Sequence, residues 1–301
     1  MKKVLKWIGI VLGVILVLVI VGATGAYLST RSRINRTYEI QPESVSIPTD
    51  PEAIERGKQM ASFMCLGCHG EDLGGTAFFD DPALGYIPAA NLTAGIGGTG
   101  GTFSDSDWVL AIRHGVGSDG KPLLIMPSKG LYYLSDDDLG AIIAYLKSVP
   151  PVDNNLGDYS LSPIAHLLAA AGMFGEYISA EAIDHEGARP AVPEVGVTAE
   201  YGEYLVNISD CKTCHGADMA GSQSPEPGAP FAPNLTPGGI LPVYKSDADL
   251  IALIRTGITP YTYEVDGKFM PWKSYSNMTD DQLSAVYAFL SSLLAMETTS
   301  K

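Results

Sequence analysis

The four cysteines of the chain occupy two short segments whose spacing is typical of covalent haem attachment. The first segment is Cys65-Leu66-Gly67-Cys68-His69, and the second is Cys211-Lys212-Thr213-Cys214-His215. In a Cys-x-x-Cys-His run, two thiols can bond the vinyl groups of a haem while the adjacent imidazole binds its iron. Because these segments contain all the cysteines, no thiol is left for a disulfide or for a nucleophile.

One such segment alone could also be a redox dithiol or half of a zinc site. A redox dithiol is expected near a βαβ pattern, and a structural zinc site needs four ligands drawn from nearby pairs. Here the two cysteine pairs lie far apart in the sequence, and each has its own surroundings. The pattern therefore predicts two covalently bound haem c groups.

A repeated Met-Pro pair supplies a candidate for the second axial ligand of each iron. Met126-Pro127 follows His69, and Met270-Pro271 follows His215, at nearly equal distances. A thioether opposite a histidine raises the potential of a cytochrome c iron. The alternative role for a methionine is filling of the hydrophobic core. The repetition favours the ligand role, so we predict His69 with Met126 and His215 with Met270 as the iron ligands.

With these motifs, the chain resembles a membrane-anchored dihaem cytochrome c with two class I-type cytochrome c domains in tandem. It is similar to the cytochrome subunits of membrane-bound bacterial dehydrogenases, although those often carry three haem motifs and this chain has two. The resemblance implies an all-α fold and haem attachment outside the cytoplasmic membrane. It also implies that the first and last helices of each domain cross, with Gly57 facing Tyr145 and Gly202 facing Phe289.

The sequence divides into an anchor at 1–30, a polar tether at 31–49, domain 1 at 50–150, a linker at 151–197 and domain 2 at 198–296. The anchor contains the uncharged run from Trp7 to Leu28, which is long enough to span a bilayer. A cleaved signal peptide is the alternative, because basic residues precede the run and small residues lie near its end. The run is longer than a usual signal sequence, which favours an uncleaved anchor. The haem attachment outside the membrane that the resemblance implies places the N-terminus inside.

Helix start and stop signals recur in the same order in both domains. Each domain is predicted to open with a capped helix that runs into the haem motif, and to contain two further helices. The loop between His69 and Gly101 is rich in Gly and Pro and is predicted to be too irregular for strands. The predicted capping pairs are Ser104 with Asp107, Ser135 with Asp138, Ser246 with Asp249, and Thr279 with Gln282.

The linker is predicted to hold a short apolar helix within residues 164–174. This segment is too short to span a membrane, and packing across the domain junction is its favoured role. Lying on the membrane surface is less favoured, because the basic face expected of such helices is missing. Residues 189–193, with the sequence Arg-Pro-Ala-Val-Pro, are predicted to be extended.

The chain is acidic, with a net charge of −15, although its first 36 residues contain basic and no acidic side chains. Such a charge does not suit nucleic acid. It suits a cationic redox partner met by electrostatic steering, or it serves solubility.

Several side chains around the motifs have both a cofactor interpretation and an ordinary structural one. Arg113 and Arg255 end matching helices, where they can bind haem propionates or interact with the helix dipole. Asn91 and Asn234 can donate to propionates or shape turns. Trp272 is predicted to cover the second haem, whereas its counterpart Ser128 is small.

Other histidines are not predicted to bind iron. His114 has Thr256 as its counterpart in domain 2, which argues against a required ligand role. His166 and His185 lie in the linker without metal-ligand spacing around them, so they are interpreted as ordinary surface or junction histidines.

The sequence therefore predicts an electron-transfer protein that relays single electrons from a membrane or dehydrogenase donor to a cytochrome or oxidase. The alternative is a dihaem enzyme, of peroxidase or thiosulfate-oxidising type, in which one haem has a labile sixth ligand. Such an enzyme needs one site to depart from the pattern, and neither site does.

Overall fold

The computed structural model describes residues 2–188, 191–224 and 228–299 of the chain. Its α-helices are α1 Lys2–Ile34, α2 Pro51–Met64, α3 Leu66–His69, α4 Asp105–His114, α5 Ser128–Leu131, α6 Asp136–Ser148, α7 Pro163–Ala170, α8 Ala199–Ile208, α9 Cys211–His215, α10 Asp247–Thr256, α11 Trp272–Tyr275 and α12 Asp280–Ser292. Short 3-10 helices lie at Ser179–Glu181 and Leu241–Val243. The strands are β1 Thr76–Asp81, β2 Gly85–Ala89, β3 Ser160–Leu161, β4 Ser222–Gln223 and β5 Phe231–Ala232.

The structure contains two small β-sheets, which the all-α prediction did not include. β1 and β2 form an antiparallel hairpin, and β3 pairs with the other edge of β2 in the order β1-β2-β3. The prediction that the loop after His69 is too irregular for strands is therefore wrong. The turn is fixed by Asp81, whose carboxylate accepts from the amides of Ala83 and Leu84. In domain 2 the equivalent hairpin, β4 with β5, is shorter. The helical class is right for most elements, but a strictly all-α fold is not confirmed.

The first and last helices of each domain cross at a glycine. A Cβ added at Gly57 in α2 would clash with the Ala141 carbonyl of α6, and one at Gly202 in α8 would clash with the Ala285 carbonyl of α12. The same Cβ at Gly202 would lie 2.8 Å from Phe289 Cβ, which confirms that predicted contact. Only glycine lets the backbones approach this closely, which explains why the poor helix former is found inside both helices.

Most of the predicted helix signals are confirmed by the capping geometry. Ser104 with Asp107 and Thr279 with Gln282 form full capping boxes, and the Ser135 side chain accepts from the Asp138 amide. Ser246 makes no side-chain cap bond. Instead, the Asp249 carboxylate accepts a hydrogen bond from the amide of Lys245, the residue before Ser246.

Helix α1 is long and apolar enough to cross a membrane, and the most apolar part of it is not buried against the rest of the protein. The segment that follows α1 packs on the rest of the protein. The Tyr38 amide donates to the Gly120 carbonyl over 2.8 Å, and the Ser46 carbonyl lies against Gly140 of α6. The segment assigned as a tether is thus packed on domain 1.

The segments of the linker before and after helix α7 also pack on domain 1. Its first part adds strand β3 to the hairpin, and Asn154 donates from its backbone to the Ile96 carbonyl. Its helix α7 packs on α1, and the segment around Tyr177 covers the loop before Met126. Of the segment predicted to be extended, residues 189 and 190 lie outside the described residues.

The two domains share one hydrophobic core. A single cluster joins buried side chains of α2, α4 and α6 to those of α8, α10 and α12. The contacts across the junction are reciprocal: α11 of domain 2 packs on α2, and α5 of domain 1 packs on α8. Hydrogen bonds also cross the junction at the third residue of the last helix of each domain. Tyr204 of domain 2 donates to Asp138 of domain 1, and Gln59 of domain 1 donates to Gln282 of domain 2.

Candidate functional site

Each Cys-x-x-Cys-His segment forms a single helical turn, α3 in domain 1 and α9 in domain 2. Positions three and four residues apart share one face of a helix, so each turn presents its two thiols and its imidazole together. A hydroxyl group fixes each turn from the following strand: Thr76 donates to the Cys68 carbonyl over 2.6 Å, and Ser222 donates to the Cys214 carbonyl over 2.7 Å.

The two histidines of these turns are buried and oriented alike. His69 Nδ1 lies 2.7 Å from the Ala90 carbonyl oxygen, and His215 Nδ1 lies 2.9 Å from the Pro233 carbonyl oxygen. A carbonyl only accepts, so Nδ1 carries the proton and Nε2 keeps a free lone pair. Burial lowers the pKa of both imidazoles, which keeps them neutral. Each histidine is thus prepared to bind a metal through Nε2.

Met126 and Met270 lie at corresponding places, directly before the short helices α5 and α11, and both are half-buried against the shared core. The Met126 carbonyl accepts a hydrogen bond of 2.6 Å from Ser179 of the linker. Their role as the second iron ligands stays a prediction.

Trp272 holds the loop that carries Met270. Its indole Nε1 donates to the Val265 carbonyl over 3.1 Å, and its ring packs on Gly257 and Gly267. Its counterpart Ser128 is fully buried and donates to the Ala111 carbonyl. Coverage of the second haem by Trp272 stays a prediction, and the contacts within the chain give the ring a second role.

Arg113 and Arg255 both clamp the start of the last helix of their domain. Arg113 donates to the Leu134 carbonyl and to the carboxylates of Asp136 and Glu43. Arg255 makes the corresponding bonds to the Met278 carbonyl and to Asp280. The predicted propionate contacts of both arginines remain untested, and the bonds that the structure describes are to the chain itself.

Asn91 and Asn234 fasten the segment that follows the last helix of each domain. The Asn91 amide donates to the Val152 carbonyl over 2.7 Å, and the Asn234 amide donates to the Met296 carbonyl over 2.8 Å. Each side-chain oxygen accepts from an amide two residues further on, as in an Asx turn. These bonds agree with the turn-shaping interpretation, and contact with propionates stays a prediction.

Two polar features were not recognised from the sequence. His114 Nδ1 lies 3.0 Å from His185 Nδ1, and His114 Nε2 lies 3.0 Å from Glu43 Oε2. The indole N–H of Trp108 is buried without a hydrogen-bond partner among the described residues. A donor without a protein acceptor fits a cofactor that brings an acceptor of its own, such as a propionate.

Direct binding of a metal ion by protein side chains needs a group of ligating residues. Within residues 2–188, 191–224 and 228–299, no group of three or more His, Cys, Asp or Glu side chains is arranged to hold a metal ion. A tetrahedral zinc site needs such a group. The oriented imidazoles and the paired thiols on a single turn fit covalent attachment of haem.

Curated proteins with a related sequence are cytochrome subunits of dehydrogenases. The chain is 28% identical over 271 residues to the gluconate 2-dehydrogenase cytochrome c subunit of Pantoea cypripedii, covering 81% of this chain and 60% of that protein. It is 27% identical over 278 residues to the fructose dehydrogenase cytochrome subunit of Gluconobacter japonicus, covering 82% and 55%. It is also 27% identical over 277 residues to the alcohol dehydrogenase (quinone) cytochrome c subunit of Gluconobacter oxydans (strain 621H), covering 82% and 56%.

The chain thus spans little more than half the length of the relatives it matches. The model of the cytochrome c family matches residues 54–150 and 199–294, which together are more than half of the chain. These segments contain both attachment turns and coincide closely with the two crossed-helix units. Cytochrome c domains bind haem c covalently, in agreement with the geometry of His69 and His215. The chain belongs to the cytochrome c family.

Proposed function

We propose that this protein carries single electrons between a donor and an acceptor protein through two haem c groups. Haem iron with histidine and methionine ligands changes between the ferric and the ferrous state without an open coordination position. The residues proposed to hold the groups are Cys65, Cys68, His69 and Met126 in domain 1, and Cys211, Cys214, His215 and Met270 in domain 2.

The reciprocal interface is the observation that carries this proposal. A Cβ added at Gly67, inside the first attachment turn, would lie 2.6 Å from Ser274 Oγ in α11 of domain 2. A Cβ added at Gly130, in α5 of domain 1, would lie 2.9 Å from the carbonyl oxygen of Asn207, close to the second attachment turn. Both attachment turns therefore border the same junction, which suits passage of electrons between the domains.

Tyr275 packs against the shared core at this junction. Its hydroxyl donates to the Ser209 carbonyl over 2.9 Å. Burial raises the pKa of Tyr275 well above its ordinary value, so the phenol stays neutral. The same phenol lies near Cys68, Cys211 and Cys214, and therefore near both motifs.

Helix α1 and the relatives support a proposal for the environment and the partners of the chain. We propose that α1 anchors the protein in the cytoplasmic membrane, with both domains on the outer side. The relatives' names support a dehydrogenase as electron donor. The acidic charge of the domains suits a basic cytochrome or an oxidase as acceptor.

The first test is carbon monoxide binding to the reduced protein, followed by optical difference spectroscopy. If both irons keep two protein ligands, carbon monoxide does not bind promptly at either haem. Prompt binding at one haem would reveal a labile ligand and would support the dihaem enzyme instead.

Matched variants test the methionine ligands separately. Met270→Ala is expected to lower the reduction potential of one centre, and Met126→Ala that of the other, because each removes a thioether that stabilises ferrous iron. Potentiometric titration of each variant measures the change. An unchanged titration curve for either variant would remove that methionine as a ligand.

A further inference from the structure

Helix α7 of the linker packs on the end of α1. Thr30 is fully buried there, and its hydroxyl lies 3.1 Å from the carbonyl oxygens of both Ala26 and His166. The ring of Tyr27 meets the ring of His166 edge to face, with centroids 4.9 Å apart. A segment far along the chain is therefore fixed at the level of residues 26–30 of α1.

That level coincides with the end of the apolar part of α1. The uncharged run from Trp7 to Leu28 has a helical length of about 33 Å, close to the roughly 30 Å thickness of a hydrocarbon core. The first charged residue after the run is Arg31. If α1 crosses the bilayer, the boundary between acyl chains and headgroups falls near Leu28, beside the docked α7.

The outward side of α7 is apolar. Ile164 is 54% exposed, and Met173 in the turn after the helix is 50% exposed, whereas Ala165, His166 and Ala169 face inward and are buried. The sequence from Tyr159 to Gly175 contains no Asp, Glu, Lys or Arg. Exposed apolar side chains in a segment without charge favour contact with something other than water.

We propose that α7 and the turn after it, residues 163–174, lie in the headgroup layer of the same bilayer that α1 spans. This inference rests on the proposed membrane anchor. Continuity with α1 identifies the lipid surface as the occupant of this face. The basic charge that α7 lacks is supplied from α1 by Arg31, whose guanidinium donates to the Tyr27 hydroxyl over 3.3 Å at the same level.

Domain 1 is thereby held to the membrane at two places. Strand β3 directly before α7 pairs with β2, and the segment around Tyr177 directly after α7 packs on the loop before Met126. Contact of α7 with lipid therefore fixes the tilt of domain 1 relative to the bilayer. Domain 2 follows this tilt through the shared core.

Photocrosslinking of the full chain in lipid nanodiscs tests the proposal. A benzoylphenylalanine is placed at Ile164 or Met173, and lipid adducts are quantified by mass spectrometry after illumination. Leu16 in α1 is the positive control, and Leu294 in domain 2, which is 82% exposed, is the negative control. We expect adduct yields at 164 and 173 that approach the yield at 16 and exceed the yield at 294 by about tenfold.

The control positions separate the two proposals. Adducts at 16, with yields at 164 and 173 no higher than at 294, would overturn the contact of α7 with lipid and leave the anchor standing. Absence of adducts at 16 would overturn both the anchor and the contact of α7. All four positions are exposed side chains, so the substitutions do not disturb the core.

Discussion

In domain 1 the loop that carries Met126 is held from outside the domain, whereas in domain 2 the loop that carries Met270 is held by its own Trp272. In the linker, the Ser179 hydroxyl donates to the Met126 carbonyl. The Tyr177 carbonyl accepts from the amide of Ile125, the residue before Met126. In domain 2 the Trp272 indole bonds the loop that it belongs to. The same fold thus closes the two sites by different means.

The arginine clamps also differ in how far chain outside the domain covers them. The side chain of Arg113 is completely buried beneath the segment before domain 1, which supplies Glu43, while that of Arg255 is 33% exposed. Extra chain therefore covers domain 1, and domain 2 is left with a more solvated version of the same contact. The comparison indicates that the domain nearer the anchor depends on segments outside its own fold.

The largest expected effect comes from Arg113→Met. This change leaves Glu43 without its buried cation, so we expect a loss of about 4 kcal/mol in the free energy of unfolding. The matched change Arg255→Met is expected to cost only about 1 kcal/mol, because water reaches that pair. Urea unfolding followed by haem absorbance measures both. Equal costs would show that burial does not distinguish the two clamps.

Trp272→Ala is expected to destabilise domain 2 by about 3 kcal/mol, because the ring fills the space between Gly257 and Gly267. It should also free the loop of Met270 and allow carbon monoxide to bind at that domain. The control is Ser128→Ala, which removes one hydrogen bond and is expected to cost about 1 kcal/mol. Carbon monoxide binding that stays absent in Trp272→Ala would mean that another contact holds the loop.

Glu43 gives the clamp of domain 1 a dependence on pH. Burial opposes its ionisation, but hydrogen bonds from His114 and the charge of Arg113 lower the pKa of Glu43 to about 2. A lowered carboxyl pKa stabilises the fold above the ordinary value of about 4.5, and this stabilisation is lost as the pH falls toward 2. Glu43→Gln should lower the free energy of unfolding by about 2 kcal/mol at pH 7, and it should weaken the loss of stability at acidic pH.

Acid titration of the free energy of unfolding measures this effect. The wild-type protein and Glu43→Gln are compared between pH 7 and the lowest pH at which both unfold reversibly. Parallel curves for the two proteins would show that Glu43 does not provide the acid-sensitive contribution.

The smallest expected effect comes from Ser179→Ala. It removes the hydrogen bond of 2.6 Å from the linker to the Met126 carbonyl, at a cost of about 1 kcal/mol. Faster hydrogen exchange at the amides next to Met126, with no change next to Met270, would show that the linker holds only the first site. If hydrogen exchange next to Met126 is as slow in the variant as in the wild type, the hydrogen bond from Ser179 does not hold this loop.

The sequence could predict those parts of the site that depend on local spacing. The two attachment turns and the capping of α4 and α12 depend on residues a few positions apart, whereas the crossing of α8 and α12 at Gly202 was implied by the family resemblance. Local hydrogen bonding and backbone sterics determine such features, so residue types are sufficient to recognise them.

Features made by distant segments were missed. Glu43, His114 and His185 belong to three segments, and the second domain has Thr256 in place of His114, so the internal repeat gives no signal for the cluster. The hairpin of β1 and β2 was missed because its composition resembles a loop, and the pairing of its strands is what orders it. Tertiary contacts decided both cases.

The reciprocal junction has the symmetry of an isologous dimer, in which the same patch on each partner meets the other. Gly130 of α5 and Ser274 of α11 occupy corresponding positions, and each packs on the segment of the opposite domain that contains or precedes its attachment turn. Joining two copies in one chain replaces an association that depends on protein concentration by an intramolecular one, with an effective concentration on the order of millimolar. Pairing of the two halves then no longer depends on expression level, and the sequences of the halves can diverge while the contact persists.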